Sequence, residues 1–160
     1  MRWTALFLAL CLAASALVAC DDDDGMGPDN ADFTATLNGE NEIPAVVTTA
    51  AGMVTLEATE SSIIFRIEVQ NLTDATAAHI HIGDDDVAGP IIATLFEDGE
   101  GVDIQNGVLA EGIIDASDIN PALSLSFAGL LDVLANASAY VNVHTIANQD
   151  GEIRGQIRPN

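Results

Sequence analysis

The chain has 160 residues, of which 25 are acidic and only 4 are basic, giving a net charge of -21. Such a surface repels phosphate backbones and anionic headgroups, which argues against nucleic-acid binding. Aromatic residues make up 4% of the chain, too few for a platform that stacks bases or sugars. In chain order, Met1-Arg2 precedes an apolar run from Trp3 to Ala19 with small residues near its end. One positive charge, a short apolar stretch and small residues at its close predict a secretory signal peptide over residues 1–19. The run is at the short end of what spans a bilayer, and no basic flank follows it.

Leu17-Val18-Ala19-Cys20 resembles the bacterial lipobox. The resemblance implies cleavage before Cys20 and lipidation of Cys20 as the mature N-terminus. Several acyl chains would hold the protein stably on a membrane. The expected location is then the bacterial cell envelope, on the periplasmic face or the cell surface. With Cys11 removed and Cys20 acylated, the mature chain has no thiol for a disulfide, a nucleophile or a metal ligand. Residues 20–31, with Asp21 to Asp24 followed by Gly25, Gly27 and Pro28, read as an acidic flexible tether.

Residues 32–160 form one domain's worth of sequence. Their apolar pattern has period 2 almost throughout: Phe33, Ala35 and Leu37; Val54, Leu56 and Ala58; Ile63, Phe65, Ile67 and Val69. Further strands are predicted over Ala77–Gly83, Pro90–Phe96, Gly107–Ile114, Ala139–Thr145 and Glu152–Arg158. Turn signals separate them at Asn38-Gly39, Asn71 to Asp74, Gly83 to Gly89, Asp98 to Gly101, Asn106-Gly107 and Asn148 to Gly151. About seven or eight short strands predict an all-β antiparallel Greek-key β-sandwich or barrel. One short crossover helix interrupts them, because Phe127, Leu130, Leu131 and Leu134 follow an i, i+3, i+4, i+7 pattern. Asp150-Gly151 predicts a tight turn joining the last two strands.

The chain's three histidines all fall in strand-like segments. His79 and His81 alternate with Ile80 and Ile82, so both imidazoles take one face. In the later segment His144, Asn142 and Tyr140 share a face opposite Val141 and Val143. With the aliphatic side chains in the core, the three imidazoles are expected on the outer face of the sheet. Glu152 and Arg154 are expected beside them as a supporting polar face. Two readings fit this placement. Three nitrogen donors with an open position suit Cu or Zn; alternatively, the rings hydrogen-bond to backbone, Thr145, Tyr140 or Glu side chains and fix the sheet edge.

Gly39-Glu40-Asn41-Glu42-Ile43-Pro44-Ala45-Val46, Ala78-His79-Ile80-His81-Ile82-Gly83 with Gly89-Pro90, and Tyr140 to Thr145 through Gly151-Glu152-Ile153-Arg154-Gly155-Gln156-Ile157 resemble the CHRD domain. The resemblance covers about residues 33–158 with its motifs in order, and departs at Gln149, where a proline often stands. It implies a secreted or surface β-sandwich module. A weaker resemblance, a His-x-His strand plus a late histidine, is to the copper side of Cu,Zn superoxide dismutases. That resemblance implies His79, His81 and His144 as copper ligands. The chain lacks the bridging histidine for zinc and the disulfide of that family, and no catalytic role carries over to Arg154.

Other chemistries find little support. Asp84-Asp85-Asp86 lacks the alternating oxygens and distant Glu of an EF-hand loop and reads as a solvated turn. Glu40 and Glu42 lie close together in one loop, without the cleft a glycosidase pair needs. No serine sits in a nucleophile-elbow pattern. The expectation is a non-enzymatic binding or interaction module, anchored to the membrane and facing an envelope protein. The alternative is a protein that binds metal, copper first and zinc second, through His79, His81 and His144; a dismutase-like enzyme ranks below both.

Overall fold

A computed structural model describes residues 32–160. The expected signal peptide, Cys20 and the tether lie outside the described residues. Seven strands form one antiparallel sheet: β1 (Phe33–Asn38), β2 (Ala51–Ala58), β3 (Ser62–Ile82), β4 (Ile91–Asp115), β5 (Ala139–Thr145), β6 (Ile153–Gln156) and β7 (Arg158–Pro159). The strand order is β2-β1-β6-β5-β3-β4, with β7 added on β1. β2 also pairs with β3, which closes β1, β2, β3, β5 and β6 into a barrel.

The closure depends on one bent strand. Along one edge of β3, residues 63–70 pair with β2 and residues 75–82 pair with β5. β4 runs along the whole opposite edge. The switch between partners falls at the Asn71 to Asp74 segment that reads as a turn. It is instead a bulged stretch inside β3, with Asn71 at φ 54° and Asp74 at φ 53° and a register shift between Leu72 and Ala75. Asn and Asp tolerate the left-handed conformation, and a bulge bends a strand and increases its twist without ending its pairing. Asp98 to Gly101 and Asn106-Gly107 are likewise absorbed into β4. Two pairs of predicted strands are therefore two long bent ones.

The period-2 stripes form the core. Leu37, Val54, Leu56, Ile63, Ile67, Ile80, Val141, Val143, Ile153 and Ile157 are fully buried. Gly155 permits β6 to back onto β1, since a Cβ there would run into the Thr36 carbonyl. The predicted helix is α1 (Phe127–Ala135), N-capped by the Ser126 hydroxyl, which accepts from Gly129 N at 3.1 Å. Leu130 and Leu134 face inward and are buried, and the crossover carries the chain from β4 to β5 on the other side of β3. No tight turn joins β5 to β6: the connection is a longer loop over residues 146–152. Among the described residues no helix is long and apolar enough to cross a membrane.

Candidate metal centre

The site is a grid of side chains on three neighbouring strands. Across β3, β5 and β6, His79 pairs with Asn142 and Asn142 with Arg154; His81 pairs with Tyr140 and Tyr140 with Gln156. One step along, His144 stands opposite Ala77. Side chains at every second position share a face, so all these groups rise on the side away from Ile80, Val141 and Val143. Ala77 is small, which leaves space on its row. His79 fills that space: its Nδ1 lies 3.0 Å from His144 Nε2.

The expected grouping of the histidines is what the structure has, but the face is not an open one. His81 is 8% exposed, Asn142 4%, Tyr140 3%, Glu152 9% and Arg154 2%. Two loops cover the grid, and each is held by one residue of the β6 edge. Arg154 donates to the carbonyls of Asp84 (2.8 Å) and Val87 (3.1 Å) in the loop 83–90. Its guanidinium also lies 3.5 Å over the Tyr140 ring, and the Tyr140 hydroxyl accepts from Gly89 N at 3.1 Å. Glu152 accepts from Thr48 Oγ1 (2.7 Å), Thr145 Oγ1 (2.7 Å) and Asn148 Nδ2 (3.1 Å), which fixes the loop 146–152. The sequence pattern put Glu152 and Arg154 beside the histidines; it gave no sign that loops would bury them.

Each loop then presents one carbonyl to one imidazole. His81 Nδ1 lies 2.8 Å from Gly89 O and His144 Nδ1 lies 2.9 Å from Gln149 O. A carbonyl only accepts, so each Nδ1 carries the proton and each Nε2 is left with a lone pair. This is the arrangement by which outer groups set the tautomer of a metal-ligating histidine. Backbone contacts of this kind also belong to the sheet-edge reading. Thr145 and Tyr140 bond elsewhere, to Glu152 and to Gly89. Gly89 and Gln149 were not legible as site residues, because they act through their backbones; only their turn context marked them. The departure at Gln149 leaves the contact intact for the same reason.

One ligand atom from each of His79, His81 and His144 lies within 4.8 Å of the others. Two nitrogens bound tetrahedrally to one ion at about 2.05 Å lie about 3.3 Å apart, so the widest pair has up to about 1.5 Å to close. His81 stacks on Tyr140, with centroids 4.9 Å apart and planes at 7°, which fixes its ring plane. All three imidazoles stay neutral below the usual range. His79 is pushed down to about 4 by burial and then by the neighbouring His144 and His81. Burial also lowers His81 and His144. Neutral, converging imidazoles, two of them fixed in tautomer, can take a Cu or Zn ion with no net loss of a proton to solvent near pH 7.

The remaining acidic candidates lie elsewhere. Asp85 forms an exposed pair with Arg158 at 3.0 Å. Glu42 is buried under Gly151, where a Cβ would meet its carboxylate. Burial raises Glu42 to about 7, against the opposing attraction of Arg154. Glu40 is exposed and does not join it in a site.

Comparison with curated proteins and with solved structures found no match. Comparison with protein families gave the CHRD domain over residues 33–157, a span that includes every strand from β1 to β6 and all three histidines. By that match, the chain belongs to the CHRD domain family.

Proposed function

We propose that this protein is a non-enzymatic binding module of the bacterial envelope, tethered through Cys20, and that its ligand is a transition-metal ion held by His79, His81 and His144. Membership of the CHRD family supports a binding or interaction module. The observation that carries the metal is the fixing of tautomers. Two carbonyls, from Gly89 and Gln149, hold the Nδ1 protons of His81 and His144 and leave both Nε2 lone pairs free, that of His144 3.0 Å from His79 Nδ1. A ring that only braced a sheet edge would not need three such neighbours. Three neutral nitrogens, with no thiolate in the domain, favour copper first and zinc second.

Metal titration of the purified mature protein tests this reading. Uptake of copper or zinc near one equivalent is expected, and it should disappear in His79→Ala and His144→Ala. Equal uptake by the wild type and both variants would place the metal elsewhere and end the proposal.

A further inference from the structure

Three buried acceptors of the grid have no hydrogen-bond partner, Asn142 Oδ1, His81 Nε2 and Gln156 Oε1, and the first two belong to diagonal neighbours across β3 and β5. Asn142 is central. It stands directly opposite His79 on β3, two residues before His144 on its own strand, and diagonal to His81. Directly opposed Cβ atoms are about 5 Å apart and diagonal ones about 7 Å, so its short amide rises between all three rings. The amide lies close enough to His81 to favour that ring's protonated form, although burial outweighs it and keeps the ring neutral. The result is a carbonyl-type oxygen and an imidazole lone pair in one buried place with no hydrogen between them. A buried acceptor left unsatisfied costs about 1–3 kcal/mol, and a cation would satisfy both at once.

Resting on the three-histidine reading, we propose that Asn142 Oδ1 is the fourth protein donor, so that the protein itself closes the coordination shell as three nitrogens and one oxygen. Two consequences follow. An amide oxygen is a harder donor than a thioether or thiolate, so the site selects divalent copper or zinc over Cu(I). A shell filled by protein has no exchangeable position, in contrast to catalytic sites that keep one open.

The test compares the wild type with Asn142→Leu, which keeps the volume and removes the oxygen, and with Asn142→Asp, which keeps the oxygen. Each mature protein is titrated with Cu(II) and with Cu(I), and azide is added to the Cu(II) form while its electron paramagnetic resonance spectrum is recorded. In the wild type and Asn142→Asp, azide should leave the spectrum unchanged. In Asn142→Leu, Cu(II) affinity should fall at least about tenfold, Cu(I) affinity should hold, and azide should shift the spectrum. The metal-free Asn142→Leu protein should be no less stable, because an apolar group replaces an unsatisfied acceptor. Wild-type Cu(II) affinity and azide silence in Asn142→Leu would overturn the proposal, as would a loss of metal-free stability with affinity intact, which marks a purely structural amide. Absence of any histidine-dependent uptake by the wild type would instead remove the three-histidine reading on which it rests.

Discussion

His79 Nδ1 lies 3.0 Å from His144 Nε2, across 65 residues of sequence. Because His144 Nδ1 gives its proton to Gln149 O, the proton between the two rings belongs to His79. Moving that proton to Nε2 of His79 leaves two lone pairs aimed at one point. The contact thus describes the metal-free state and identifies His79 Nδ1, His81 Nε2 and His144 Nε2 as the atoms that would hold an ion.

Arg154 acts at a distance from those atoms through the loop that it holds. Arg154→Met keeps an unbranched side chain and removes the guanidinium, with its contact over Tyr140 and both hydrogen bonds to the loop 83–90. The Gly89 carbonyl should then no longer fix His81. Metal affinity is expected to fall about 10- to 100-fold, the usual consequence of losing an outer-shell partner, and amide hydrogen exchange should accelerate across residues 83–90. Fast exchange with undiminished affinity would separate the loop from the site.

The metal-free protein carries two opposed pH terms. His79 has a folded value of about 4 against 6.5 for the free group. Between pH 6.5 and 4 the unfolded chain binds the extra proton, so stability falls as pH falls. Glu42 is raised to about 7 from 4.5. Between pH 7 and 4.5 the folded state binds the extra proton, so this term adds stability as pH falls. Glu42→Gln removes the second term. The variant should exceed the wild type by on the order of 1–3 kcal/mol at pH 8, lose that advantage by about pH 5, and show the steeper decline on acidification. Denaturant unfolding at several pH values checks it; equal curves would mean that Glu42 is not held neutral by burial.

Leu72 is fully buried at the corner where β3 changes partner. In a surface turn its truncation would be nearly silent. At a packed corner Leu72→Ala should cost about 2–5 kcal/mol in urea or guanidinium unfolding. A change below 0.5 kcal/mol, the range of ordinary surface substitutions, would contradict the continuous strand.

Much of the fold was legible because alternation needs only neighbours along the chain. Phe33 to Leu37, Ile63 to Val69 and Tyr140 to Thr145 each announced their inward face, and Phe127 to Leu134 announced the helix. The strand count was less legible. Asn71, Asp74, Gly101 and Gly107 carry the same left-handed preference in a bulge as in a turn, and only cross-strand pairing tells the two apart.

Which residues share the histidine face was readable along the chain, since a period of two assigns His79, His81, Asn142 and His144 before any contact is known. The family motifs that hold them were readable there too. Packing alone covers the face, lets Arg154 and Glu152 each hold one loop over it, and brings two backbone carbonyls to fix the imidazole tautomers. The reason is physical. Facing is a local property of an extended backbone, whereas burial, tautomer and ligand distance arise when segments far apart in the chain pack together, and here the bend in β3 brings them into register.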